Sequence, residues 1–385
     1  MIDPLTDPTE VGLDAARVAD LLARARREID DGLLPSCQLA LARHGRLVLD
    51  ETIGAAPTTR YVVFSCTKGI TAGVLWLLLG DGLLQRDTAI GDVLDAFAGG
   101  PLHAVTVEQL LTHTSGFPQA PLDPRRAADR AVRLAAYARW RQTWAPGTRF
   151  EYHPLAAHFV LGDLAEEVTG QPMTDLVRTL VCEPLGLATF SLGAPVGEQH
   201  DVAPLVGVGQ PPTDDELSAV LGVPVKAVDL IGEVTQDALL GFNDPAALAS
   251  GAPGGGGVGR AADLAVYYQA VLANDGDRWD ADVLRAGTAE VLNDLPDPVL
   301  GVPAHRSLGL MIAGEGDTAR RRGFPSNLSP RAFGHDGAGG QIAWADPDTG
   351  VSFAYLTNGL DAHVLREARR KVGLSARAAG TPTPS

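Results

Sequence analysis

The stretch from residue 65 to 79 constrains this chain most. It has the length of a helix and is apolar nearly all round, so every face of that helix must be covered by other elements. Such a helix sits in the middle of a fold, and any polar group on it is held away from bulk water. Two polar groups stand at its start, Ser65 and Lys68, in Phe64-Ser65-Cys66-Thr67-Lys68-Gly69. Residues i and i+3 share a helix face, so the hydroxyl and the amine can meet. The lysine is informative because the chain hardly uses lysine. Of 31 basic residues only Lys68, Lys226 and Lys371 are Lys, and 28 are Arg. Arg stays charged in proteins, whereas a desolvated Lys can lose its proton near neutral pH. A Ser-x-x-Lys spacing arises by chance only about 0.1 times in a chain of this composition.

The pattern around this helix gives an order of elements. With 385 residues, the chain can hold one large domain or two smaller ones. Periodicity predicts a helix over 13–29, then strands over 38–42 and 46–51 around a His44-Gly45 turn. From Gly82 to Leu240 helices dominate, most clearly at 107–111, 125–141, 155–168 and 173–181. Residues 195–253 are irregular apart from a helical piece at 214–221, and are expected to wall a pocket. Gly254 to Gly257 predict a hinge or a close backbone approach, and a helix over 261–274 follows. Strand character returns at 308–313, 342–345 and 351–357, then a helix over 362–371 and a frayed tail over 375–385. Strands from both chain ends most economically form one antiparallel sheet. The expected class is α+β: an antiparallel sheet flanked by helices (1–81 and 241–385) with an inserted, mainly helical domain (82–240). The active site is expected in the cleft between them.

Charge and composition exclude several functions. A net charge of −16 repels nucleic acid and anionic membranes. The longest apolar run, 74–79, is far short of the ~20 residues of a membrane span. The N-terminus, Met1-Ile2-Asp3-Pro4-Leu5-Thr6-Asp7-Pro8, is acidic and lacks the apolar core of a secretory signal, so a cytoplasmic location is expected. Cys37, Cys66 and Cys182 are scattered without metal-ligand spacing, so neither a disulfide framework, a metal nor another cofactor is expected.

Ser65 is a weak nucleophile until a base takes its proton, and the start of a buried helix favours developing negative charge. Lys68 can take that proton, or act as a cation that lowers the pKa of another base. Tyr152, in Phe150-Glu151-Tyr152-His153-Pro154, is such a base if a lysine cation lowers its phenol pKa; the ordinary alternative is a half-buried core Tyr. Neighbouring His153 is a helix residue that could line the cleft. The run Phe333-Gly334-His335-Asp336-Gly337-Ala338-Gly339-Gly340 places glycines before a strand. There backbone N–H groups can approach a ligand oxygen; a plain Gly-rich hairpin is the alternative. Cys66 is expected to point away from Ser65 into the core. His113, Thr114 and Ser115 read as a loop-ordering cluster. The Arg-rich stretch 125–141 reads as a solvated helix face, with a cleft rim that attracts anionic acyl groups as the alternative.

Together, Ser65-x-x-Lys68, Tyr152 and His335-x-Gly337 resemble the serine β-lactamase-like, penicillin-recognising superfamily. Its class C β-lactamases and family VIII carboxylesterases are the most similar members. Leu110-Leu111-Thr112-His113-Thr114-Ser115-Gly116-Phe117 is similar to a signature common there, and the resemblance spans about 10–372. It implies a β-lactamase/transpeptidase-like fold and an acyl-enzyme on Ser65, with Lys68 and Tyr152 sharing its activation. It also implies an oxyanion hole from the backbone N–H groups of Ser65 and Ala338, and substrate contacts at His335 and Gly337. Two departures point away from β-lactams. Tyr-x-Asn reads Tyr152-His153-Pro154 here, and Pro154 has no side-chain donor. The Lys of the Lys-Thr-Gly motif is His335. The expectation is a serine hydrolase of carboxylic esters, a small-molecule acyl donor being its partner, with acyl transfer to an alcohol or amine as an extension. A β-lactamase or D-amino-acid peptidase or amidase, and a non-hydrolytic binding or sensor protein, are the alternatives.

Overall fold

In the computed structural model, residues 5–221 and 234–383 are described. Helix α1 (Ala15–Asp30) leads into the hairpin β1 (Cys37–Arg43) and β2 (Arg46–Ile53). His44 and Gly45 both have positive φ, 51° and 77°, the paired left-handed conformation that suits the twist of a two-residue hairpin. The apolar segment forms a 3-10 turn, Phe64–Cys66, that runs into helix α2 (Thr67–Gly80). Helices α3 (Val107–Leu111), α4 (Arg130–Tyr137) and α5 (Ala156–Thr169) follow. Helix α6 (Ala261–Ala273) precedes β3 (Met311–Ile312), β4 (Phe333–Gly337), β5 (Gln341–Asp346) and β6 (Val351–Thr357). The chain then enters helix α7 (Val364–Ala379).

The six strands form one antiparallel sheet in the order β2-β1-β6-β5-β4-β3, so the two ends of the chain pair directly, with Cys37 opposite Thr357. Side chains alternate across it with a period of two. Leu39, Leu41, Trp344, Phe353 and Tyr355 pack in one cluster with Leu21 of α1 and Leu374 of α7. Ala40, Ala42, Ala343, Ala345 and Ala354 join the other cluster, with Leu264, Tyr267 and Tyr268 of α6. Small residues on that face leave room for a helix lying against it. The same cluster continues through Trp76 of α2 to Phe159 and Leu161 of α5, so α2 is covered on all sides as its composition requires.

Several sequence-based expectations are corrected. The stretch 125–141 is not one helix: a 3-10 turn at Pro124–Arg126 is separated from α4, which starts at the N-cap Asp129. Nor is it simply a solvated face. Arg133 is buried, and its Nη2 meets Asp163 at 2.6 Å and Glu166 at 2.8 Å, while Tyr137 donates to Asp163 at 2.6 Å. The strand expected over 308–313 is only Met311–Ile312. The tail expected to fray from 375 is instead helical to Ala379. Leu374 and Ser375 are fully buried, and Pro382 bridges to Leu13. Amphipathic α7 docks on α1, with Arg370 bound to both Glu28 and Asp361. Of the stretch expected to wall a pocket, 222–233 lie outside the described residues, as do 384–385 of the tail. No helix among the described residues is long and apolar enough to cross a membrane.

Candidate active site

Ser65 occupies the 3-10 turn before α2 because Phe64 takes a positive φ of 45°, a strained conformation for a non-glycine residue. Packing holds the strain in place. The Phe64 ring meets Phe242 edge-on at 5.6 Å, and the Phe64 carbonyl accepts the Thr67 hydroxyl at 2.5 Å. Thr67 Oγ1 in turn accepts from Gly257 N at 2.9 Å, which fixes the turn to the strand formed by Gly257–Gly259.

Lys68 lies one turn on and is wholly buried. Its Nζ donates to the carbonyls of Pro154 at 2.8 Å and Gly254 at 2.6 Å, and stands 3.3 Å from Ser65 Oγ. Burial drives its pKa well below the ordinary lysine range, and Arg306 pushes in the same direction. A neutral amine has two N–H bonds and one lone pair. In that form, with both hydrogens directed at carbonyls, the lone pair is left for the Ser65 hydroxyl; in the charged form the third hydrogen points to Ser65 Oγ. Gly254 and its neighbours therefore make the close backbone approach, not the hinge. A Cβ on Gly254 would stand 2.9 Å from the Pro154 carbonyl and 3.3 Å from Lys68 Nζ.

Tyr152 lies in the loop before α5. Its ring is 5.0 Å from Lys68 Nζ and 4.7 Å from the His113 ring. Its hydroxyl is buried and completes no hydrogen bond. Ser65 is near enough to favour the ionised phenol, yet the pair falls short of a formed bond. The lowered phenol pKa expected from the sequence is not found. Burial raises it, and this outweighs the opposing pull of Ser65 and Arg306. Burial lowers the Lys68 pKa as well, which weakens the cation that reading required.

His153 does not line a cleft. It is fully buried on the far side of the loop, where Nε2 accepts from Phe117 N at 3.4 Å and from the Ser115 hydroxyl at 2.9 Å, and Nδ1 donates to the Glu151 carbonyl at 2.6 Å. Adjacent residues in extended chain point opposite ways, and Tyr152 takes the site side. His113, Thr114 and Ser115 order this loop, His113 Nδ1 accepting from His153 N at 3.2 Å.

His335 and Gly337 sit on β4, which packs against the Ser65 turn. A Cβ on Gly337 would come within 2.7 Å of the Val63 carbonyl, so only glycine lets the strand in. The turn Ala338–Gly340 follows, and Ala338 packs against the cluster that holds Val62 and Phe64, the latter next to Ser65 in the chain. His335 is buried and neutral, its pKa pulled down to about 3 by burial, with Arg306 and Lys68 acting in the same sense. The Cys66 thiol contacts its carbonyl at 3.3 Å, so Cys66 faces the core.

One residue of the site, Arg306, was not legible in the sequence. It is buried, its guanidinium lies 5.4 Å from the Tyr152 ring, and Nη1 donates to His335 Nε2 at 3.2 Å. Nothing in its local sequence, an irregular segment before β3, marks it as a site residue. Among the described residues no cluster of His, Cys, Asp and Glu fits a metal ion.

Residues 19–378 match the family model described as Beta-lactamase. The protein named esterase/beta-lactamase LipL of Mycobacterium tuberculosis is 30% identical over 356 residues, covering 84% of this chain and 76% of that one. Esterase EstB of Burkholderia gladioli is 29% identical over 386 residues, covering 91% and 93%. A family VIII carboxylesterase structure superposes with a TM-score of 0.75 at 25% identity, covering 95% of this chain and 99% of that one. A penicillin-binding protein homolog from Caulobacter crescentus gives 0.73 at 27% identity, again covering 95% and 99%.

Proposed function

The chain belongs to the Beta-lactamase family, and on that premise we propose that it is a carboxylesterase working through an acyl-enzyme on Ser65. The observation that carries this is the buried Lys68 amine, held by two carbonyls 3.3 Å from Ser65 Oγ. Lys68 takes the Ser65 proton as Oγ attacks the ester carbonyl. The oxyanion is met by the backbone N–H groups of Ser65 and Ala338. The C–O bond to the alcohol breaks, and the proton held on Lys68 passes by way of the Tyr152 hydroxyl to the leaving alkoxide. Water then attacks the acyl group, Lys68 takes a proton from it, and Ser65 leaves with that proton restored. An alcohol or amine in place of water gives acyl transfer.

Two features favour esters over β-lactams. Pro154 offers no side-chain donor to a substrate amide, and His335 is neutral where a cation would draw in a carboxylate. The name of EstB carries the same preference, while that of LipL gives both activities. The sheet part (1–81 and 241–385) and the helical insert (82–240) belong to this proposal as the two walls of the site. The test is intact-protein mass spectrometry of wild type and Ser65→Ala with p-nitrophenyl acetate, a fluorophosphonate and a cephalosporin. A Ser65-dependent adduct with fast ester turnover and intact cephalosporin supports the esterase. Rapid cephalosporin loss transfers the assignment to a β-lactamase, and no adduct with any reagent to a binding protein.

A further inference from the structure

We infer that Arg306 is a positioning residue for the Ser65–Lys68 pair: its fixed positive charge, held against the Tyr152 ring with no carboxylate of its own, keeps the Lys68 amine unprotonated and His335 a hydrogen-bond acceptor. The inference rests on the hydrolase reading above.

Buried arginines are of two kinds here: Arg306 and Arg322 have no ion pair among the described residues, and of these two it is Arg306 that lies against the Tyr152 ring. Arg133 and Arg370 are comparably buried, and each binds two carboxylates. Arg306 has no ion pair among the described residues, and its Nε has no hydrogen-bond partner. Its guanidinium instead lies between the rings of Phe150, at 5.6 Å, and Tyr152, at 5.4 Å. The same Tyr152 ring has Lys68 Nζ 5.0 Å away. One phenol ring therefore touches both basic groups. A guanidinium only donates, so His335 Nε2 must accept, and Nδ1 carries the hydrogen that goes to the Asp336 carbonyl at 2.6 Å.

The other groups around Lys68 do not cancel this charge. His113, which precedes the Tyr152 loop in space, and His158 of α5 are buried and have their pKa values depressed by burial, as do His153 and His335. The Cys66 thiol is kept neutral by burial. The carboxylate on β4 that acts on Lys68 is Asp336, and its Oδ2 is claimed by Lys371 Nζ at 2.6 Å. Asp336 and Asp297 also act on Arg306, but only through space, and neither forms an ion pair with it among the described residues. In surroundings of low polarability, a unit charge at this range moves a neighbouring pKa by about 1 unit or more.

The scarcity of lysine makes a direct measurement practical. Full-length protein labelled with 13C at lysine Cε carries three lysines, Lys68, Lys226 and Lys371, and the Lys68 signal is assigned by its loss in Lys68→Met. The Lys68 midpoint is expected well below that of ordinary lysine in the wild type. It should rise by about 1 pH unit in Arg306→Gln and stay low in Arg306→Lys. The acid limb of kcat/KM for p-nitrophenyl acetate should move with it. An unchanged midpoint in Arg306→Gln overturns the inference, as does a wild-type Lys68 that remains charged above pH 9. If Arg306→Gln does not fold, Arg306→Met puts the same question with an apolar chain of similar length. Absence of Ser65-dependent ester turnover would sink the functional reading, while the lysine titration would still decide the role of Arg306.

Discussion

The carbonyl of Pro154 accepts a hydrogen bond from Lys68 Nζ at 2.8 Å. The loop that presents Tyr152 thus also fixes the amine beside Ser65, and a change in one moves the other. The Gly254 carbonyl completes the clamp from the opposite side at 2.6 Å.

Lys68→Arg should lower kcat for p-nitrophenyl acetate about 1,000-fold with the fold retained. A guanidinium keeps its proton at any working pH and has no lone pair to offer the serine. Circular dichroism and single-turnover acylation check this. Activity within tenfold of wild type would mean that a fixed charge suffices.

Gly254→Ala should cut kcat by more than tenfold while leaving KM nearly unchanged. Its methyl would intrude on the Pro154 carbonyl and on Lys68 Nζ, displacing the amine by a few tenths of an ångström. Steady-state kinetics read the split, and an unchanged kcat would show that the clamp tolerates the shift.

Tyr152→Phe should slow acylation about 100-fold or more without loss of stability, because the deleted hydroxyl makes no completed hydrogen bond in the resting protein. Burst kinetics and a urea titration test both halves. Equal burst rates would remove Tyr152 from the chemistry.

His153→Asn should make stability less dependent on acid. Burial holds the folded His153 pKa down at about 4, against 6.5 for the free side chain. Above pH 6.5 both states leave it neutral and its contribution is fully present. As pH falls towards 4, the unfolded chain takes up a proton that the folded protein refuses, so stability is lost at about 1.4 kcal/mol per pH unit. The stability gap between wild type and variant should narrow by about 3 kcal/mol between pH 6.5 and 4. A gap constant with pH in urea titrations would show that His153 acts through packing alone.

Arg133→Met should destabilise the protein by about 3 kcal/mol or more, because it leaves the buried Asp163 carboxylate with only the Tyr137 hydroxyl and the more distant Arg130. Thermal unfolding checks this, and a melting temperature within 2–3 °C of wild type would show that the network is relaxed by water.

What could be read from the sequence was what is local. Ser65 and Lys68 are three residues apart across one helix start, so their meeting follows from helical geometry, and the apolar composition of α2 required that Lys68 be buried, while Ser65, in the turn before it, stays half-buried. The β1–β2 hairpin was legible for the same reason, since alternation and turn residues act over a few positions. Tertiary structure decided what depends on distant neighbours. His153 adjoins Tyr152 in the chain, but the side it faces was set by Ser115, 38 residues away. The final residues, polar and Gly-containing, look frayed until α1 is there to receive them. The phenol of Tyr152 was expected to titrate low beside a lysine cation. Burial acted on both groups, raising the phenol pKa and lowering that of the amine. Arg306 was invisible because its significance lies in the absence of a carboxylate partner among the described residues, and no sequence pattern marks a missing neighbour. Spacing along the chain fixed which groups meet, while the polarity of the surroundings, a property of the packed interior, fixed their protonation.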